Sequence, residues 1–198
     1  MIDPKTVTNY NRSEAELQEW LLYCICVAGK KSEIETRKLD SFLRDQALPK
    51  ASWRFGTHLK PFDLIRTLLN SDKLLRQLEK HRIAPYKQRY NSFVDAVRLL
   101  PDDLSQVTID DLQSVRGIGT KTSRFFLTHS REDCDEPILD THILRFLHDM
   151  GNDVPLATPQ NPAKYARIAE VFKIYAWSVN KSVADLDLEI WTKYSATT

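Results

Sequence analysis

Apolar residues recur at helical spacing along almost the whole chain, and nowhere do they alternate cleanly. Leu17, Leu21, Cys24 and Ala28 fall at i, i+4, i+7 and i+11, the stripe of a buried helix. Tyr165, Ile168, Phe172, Tyr175 and Val179 keep the same period near the other end. A 3.6-residue period lines one face of a helix, whereas a half-buried strand needs a period of two. The expected fold class is therefore all-α, with roughly ten helices. Only Val27 and its neighbours read ambiguously between helix and strand.

Capping residues and prolines set the expected boundaries. Ser13 with Glu16 spells a capping box, S-x-x-E, before the first apolar stripe. That helix should end near Gly29, with Lys30-Lys31-Ser32 as a loop and a second helix over Glu33–Gln46. Pro49–Gly56 reads as a connector carrying Trp53. Pro61 can start a helix to Asn70, and Ser71 is read as the cap of the next, to about Lys80. Pro85 opens a helix through Leu100, and Thr108 with Asp111 caps a short one over Ile109–Val115. Further helices are expected from Thr120 to about His129, from Pro137 to Met150, after the Asn161-Pro162 pair, and from Ser182 to near Tyr194. Trp20, Phe93, Phe125, Phe126, Phe172 and Trp177 read as core. Trp53 and Trp191, beside irregular segments, read as stacking candidates.

Composition narrows the class. A chain of 198 residues holds one domain or two small lobes sharing a core. A hydrophobic fraction of 42% and a charged fraction of 28% exclude collagen, low complexity and wholesale disorder. No apolar run is long enough for a membrane helix. MIDPKTVTNY lacks the apolar core of a secretory signal, so an intracellular location is expected. Lys and Arg number 28 against 27 Asp and Glu, a net +1, so nucleic-acid binding would need basic residues gathered on one face. Three cysteines (Cys24, Cys26 and Cys134) suit a reducing compartment. They are too few for a four-cysteine iron–sulfur site, and no CxxC pair is present for zinc.

The stretch that carries chemistry runs from Leu112 to Phe146, LQSVRGIGTKTSRFFLTHSREDCDEPILDTHILRF. Two glycines around Ile118 allow a tight turn between helices. The unpaired N–H groups at the start of the second helix form an anion site that suits a DNA phosphate without reading sequence. A plain αα-hairpin with a glycine turn is the bland alternative. Lys121 follows in the first turn of that helix, where the dipole disfavours a cation. An ordinary lysine is neutral in only about one molecule in a thousand near neutral pH. Burial and the positive end of a helix both favour the neutral amine, so a nucleophile can be made at Lys121. A phosphate-pairing lysine is the other reading. Asp140, between Ile138-Leu139 and Ile143-Leu144, is a helix N-cap, a functional acid, or both.

VRGIGTKTSRFFL followed by ILDTHILRFL resembles the helix-hairpin-helix DNA glycosylases. The resemblance implies their fold, two helical lobes with a cleft between them, as a single unit over residues 1–198. The hairpin would span about 109–129, and the catalytic Asp loop and helix about 130–150. The lysine after the second hairpin glycine marks the bifunctional branch, which removes a base and cuts the strand. Lys121 and Asp140 match its two catalytic positions. No cysteine follows Cys134, so the cluster-bearing endonuclease III type does not fit. The Lys-to-Asp spacing is similar to that of the short microbial 8-oxoguanine DNA glycosylases, and His81-Arg82-Ile83 through Arg89-Tyr90 resembles their segment before the hairpin.

The implied activity is base-excision repair of 8-oxoguanine by a glycosylase/AP lyase working through a lysine Schiff base. The implied partner is damaged double-stranded DNA. A monomer, a cytoplasmic and nucleoid-associated location, no membrane and no cofactor are expected, beyond a monovalent cation that the hairpin can admit. Arg116, Gly117, Gly119, Thr120 and His142 would contact the DNA backbone, with Arg124 a further phosphate partner. A partly buried helix histidine is the plainer reading of His142. Gly29, Lys30 and Lys31 fall where these enzymes fill the gap left by a flipped base, and Trp191 matches a tail tryptophan of the base pocket. The His81–Arg89 section would join a basic DNA face. The family type ends in a lysine; here Ser195-Ala196-Thr197-Thr198 stands instead. Two alternatives follow: the same fold acting on another damaged base such as an oxidised pyrimidine, or a non-enzymatic helix-hairpin-helix DNA-binding module.

Overall fold

Ser13 opens the first helix as its spacing predicts. In the computed structural model, which describes residues 2–45 and 60–195, the Ser13 hydroxyl accepts from the Glu16 amide. The Glu16 carboxylate returns to the Ser13 amide at 2.8 Å. The chain divides into two compact units. The described residues hold ten α-helices and no strand.

The first unit takes Arg12–Gly119 together with the start of the chain. It contains α1 (Glu14–Val27), α2 (Ser32–Asp45), α3 (Pro61–Asn70), α4 (Leu74–Lys80), α5 (Tyr86–Leu99), a 3-10 turn (Leu104–Gln106) and α6 (Ile109–Ser114). Helix α1 is buried on nearly every side from Trp20 to Cys26 and touches α2, α3 and α5. A helix apolar all round belongs at the centre of a bundle. Its one buried amide, Gln18, is satisfied: Nε2 donates to the Asp102 carbonyl at 2.9 Å, and Oε1 accepts from the Phe62 amide at 3.0 Å. Trp20, Phe42, Phe62 and Phe93 are fully buried. Such side chains contribute about 1.5–3 kcal/mol each.

The second unit joins Thr120–Thr198 to the segment Lys5–Asn11. It contains α7 (Thr120–Thr128), α8 (Thr141–Asp149), α9 (Pro162–Ser178) and α10 (Val183–Ser195). Asn161 caps α9 by accepting from the Lys164 amide, with Pro162 in the first turn. The Ser182 hydroxyl accepts from the Asp185 amide at 3.0 Å at the head of α10. Leu144, Leu147, Ile168, Phe172, Leu186 and Ile190 form its core.

Several boundaries differ from expectation. Ser71 closes α3 rather than capping α4, and α4 starts after Lys73. Residues 137–140 are not helical, because Asp140 caps α8 and the helix begins only at Thr141. Trp177, read as core, is 61% exposed: it lies on α9 away from the stripe of Tyr165, Ile168, Phe172 and Tyr175, beside exposed Ile174. Trp191 is half-buried within α10 rather than beside an irregular segment. Trp53 and the 49–56 connector lie outside the described residues. No described helix is long and apolar enough to cross a membrane.

Candidate active site

The turn after α6 is built by residues that satisfy one another. Thr108 and Asp111 form a capping box at its head. The Ile118 amide donates to the Val115 carbonyl at 3.0 Å, folding the chain back on itself. Gly117 sits at φ +87°, and a Cβ there would meet Ser92 Oγ at 2.8 Å. This position requires glycine twice over, by its backbone angle and by close approach. Gly119 carries neither requirement, because an added Cβ would meet open space. Ile118 is buried. Arg116 is held by Asp95, with Nη2 on Oδ1 at 2.7 Å and its own amide on Oδ2 at 3.2 Å. The Arg116 hydrogen bond holds the Asp95 carboxyl below its ordinary range. The first unit ends at Gly119, and Thr120 begins α7.

Lys121 is the second residue of α7. Its Nζ stands 3.7 Å from Asp140 Oδ2. That distance is an ion pair and too long for a hydrogen bond. The Asp140 carboxylate divides its work. Oδ1 accepts from the amides of His142 at 2.8 Å and Ile143 at 3.0 Å, capping α8. Oδ2 faces Lys121. Of the two readings of Asp140, the N-cap is realised, and the oxygen left over is the one that faces Lys121. The expectation that Lys121 is buried does not hold: its side chain is 40% exposed, against 13% for Asp140. The amine is accessible, as a nucleophile for an incoming substrate must be. An exposed pair of this kind contributes about 1 kcal/mol or less, so separating it costs little.

Close by are residues that sequence reasoning missed. His129 is fully buried at the end of α7, and Asp187 on α10 lies with an oxygen 3.2 Å from its Nε2. Thr8 Oγ1 is 2.8 Å from Nδ1. One tautomer satisfies all three: the ring donates to Asp187 and accepts from the Thr8 hydroxyl. Burial pushes the Asp187 carboxyl up, the His129 hydrogen bond pulls it down, and the charges of Asp140 and Lys121 act on it in opposite directions. Nothing local in the sequence singles it out: Asp187 stands in ADLDLEIW between two other acids, Asp185 and Glu189.

His142 is half-buried in the first turn of α8, with its Nδ1 buried and lacking a hydrogen-bond partner among the described residues. Arg124 is engaged by Glu136 at 3.0 Å and by the face of Tyr165 at 4.7 Å. Gly29, Lys30 and Lys31 form an exposed loop between α1 and α2. The proposed basic section over His81–Arg89 loses a member: Arg89 is 3% exposed and donates to the Cys26 carbonyl at 3.1 Å. His81 and Lys80 pair with Asp45.

No family model matches the chain. A search of solved structures finds a Methanocaldococcus jannaschii 8-oxoguanine glycosylase/lyase in complex with 8-oxoguanine-containing DNA, at a TM-score of 0.68 and 22% identity. The match covers 94% of this chain and 84% of that one. The 8-oxoguanine DNA glycosylase of Thermotoga maritima matches at a TM-score of 0.65 and 20% identity, over 90% of this chain and 79% of that one. The chain has the helix-hairpin-helix glycosylase fold. Among curated relatives, the 8-oxoguanine DNA glycosylase/AP lyase of Saccharolobus islandicus is 28% identical over 138 residues. That match covers 68% of this chain and 66% of the relative's length. Within this glycosylase fold, Lys121 and Asp140 both belong to the second unit, one on α7 and the other at the head of α8.

Proposed function

We propose that this chain is a bifunctional DNA glycosylase and AP lyase that removes 8-oxoguanine from double-stranded DNA during base-excision repair. The observation that carries the reading is the 3.7 Å approach of Lys121 Nζ to Asp140 Oδ2, at the head of α7 and the N-cap of α8. The similarity to 8-oxoguanine glycosylases among the relatives and structural neighbours supports the choice of lesion.

The reaction follows from those two side chains. A base stacked in a duplex hides its sugar, so the damaged nucleotide is first turned out of the helix. The Lys121 amine, freed of its proton, attacks C1′ of the deoxyribose. The bond from C1′ to the base breaks, and the base leaves with the bonding pair and takes up a proton. Opening of the sugar gives a Schiff base between C1′ and Nζ. Loss of a proton from C2′ then expels the 3′ phosphate and nicks the strand. Asp140 Oδ2 stabilises the positive charge that builds on the sugar and assists proton transfer. Because Oδ1 is fixed by two amides, Oδ2 keeps its direction as the lysine moves away. Gly117, Gly119, Thr120, Arg116 and His142 are the proposed backbone contacts. Gly29, Lys30, Lys31 and Trp191 are the proposed wedge and base-pocket residues.

Borohydride trapping on a panel of lesion-bearing duplexes tests the reading. A covalent complex should form with 8-oxoguanine, and Lys121→Gln should abolish it. Preference for an oxidised pyrimidine would change the substrate. Salt-sensitive DNA binding without nicking of any lesion would instead make the chain a binding module.

A further inference from the structure

Tyr165 on α9 is 2% exposed, and its hydroxyl makes two hydrogen bonds to one short stretch of backbone. It donates to the Pro137 carbonyl at 2.8 Å and accepts from the Leu139 amide at 3.1 Å. Asp140 is the next residue. Thr158 Oγ1 adds a bond to the Leu139 carbonyl at 2.8 Å. The approach to Asp140 is irregular backbone and has no helix ladder to hold it, so these side chains supply the bonds that a regular element would.

The ring of the same tyrosine reaches the other partner. The Arg124 guanidinium lies 4.7 Å from the ring centroid. Arg124 is three residues beyond Lys121 on α7, and its Nη1 donates to the Thr120 carbonyl at 3.3 Å. Its Nε binds Glu136, the residue before Pro137, at 3.0 Å. One side chain thus touches the helix start that carries Lys121 and the loop that carries Asp140.

We propose that Tyr165 is a positioning residue that sets the separation of Lys121 and Asp140, its ring bracing the head of α7 and its hydroxyl aiming the loop before α8. This rests on the glycosylase/lyase reading of that pair. Tyr165 acts through Asp140 and Lys121 and is not itself catalytic. Burial pushes its hydroxyl up to about 12, so it remains a donor to Pro137 throughout the range in which such an enzyme is assayed. A misplacement of a reacting group by about 1 Å can cost on the order of a hundredfold in rate.

Tyr165→Phe in the full chain tests the proposal, because it keeps the ring and removes only the hydroxyl. Single-turnover base release and borohydride trapping should slow by roughly tenfold to a hundredfold, with duplex affinity held within about twofold. In an Asp140→Asn background the same substitution should slow release no further, because the tyrosine acts through that carboxylate. A purely structural role would instead add its loss in both backgrounds. Should Tyr165→Phe fail to fold, Arg124→Met loosens the ring side and should slow release in the parent but no further in the Asp140→Asn background. Unchanged release by a folded variant, or equal slowing in both backgrounds, overturns the proposal while leaving the Lys121 chemistry standing. A wild-type protein that neither releases nor traps any lesion overturns both.

Discussion

Asp140 presents one oxygen to Lys121 Nζ at 3.7 Å while its other oxygen caps the helix that follows. The carboxylate is thereby fixed by backbone amides that do not depend on the lysine. The pair can part without the acid losing its aim.

This division predicts that two substitutions at Asp140 will separate. Asparagine is as good an N-cap as aspartate, so Asp140→Asn should keep the melting temperature and duplex binding while base release falls sharply. Asp140→Ala also removes the cap and should cost about 0.5–2 kcal/mol of stability. Thermal unfolding beside single-turnover excision reads both. Equal destabilisation by the two variants would remove the dual role.

Gly117 and Gly119 should differ although they flank one residue. Gly117→Ala must hold φ +87° and push against Ser92, at a cost of about 1–3 kcal/mol. Gly119→Ala meets open space and should stay within about 0.5 kcal/mol of the parent. Denaturant unfolding decides; equal losses would mean that the turn is shaped otherwise.

Asp187 carries a pH prediction. Burial raises its folded-state pKa above the unfolded one, so the native state holds that proton more tightly. Stability from this group is fully present below the unfolded carboxylate range and is lost as pH rises through the raised value. Asp187→Asn cannot ionise. Its melting temperature relative to wild type should therefore move in its favour as pH increases from acid to neutral. A difference that is flat with pH, or that moves the other way, contradicts the assignment.

Trp177 and Ile174 stand exposed on α9, and polar substitutions there should change stability by no more than about 0.5 kcal/mol. A loss of several kcal/mol on Trp177→Ser would place the indole in a core.

The helical class and most helix starts are local matters, and the sequence carries them openly. Ser13 with Glu16, Thr108 with Asp111 and Asn161 with Pro162 each close their own termini within a few residues. The approach of Lys121 to Asp140 rests on two such local features, the glycine turn before α7 and the N-cap of α8. What was hidden depends on long-range packing. Trp177 reads as core from its residue type alone, although it falls off the Tyr165–Phe172–Tyr175 stripe and on the exposed face of α9 with Ile174. Arg89 reads as one more surface cation until α1 supplies a carbonyl for it. His129 and Asp187 lie 58 residues apart, and Tyr165 reaches back 28 residues to Pro137, separations that no local pattern encodes.

Borohydride trapping on an 8-oxoguanine duplex, with wild type and Lys121→Gln side by side, tests the role of Lys121 most directly. A covalent protein–DNA adduct should form with the wild type and none with the variant. An adduct that persists in Lys121→Gln would show that another amine does the chemistry.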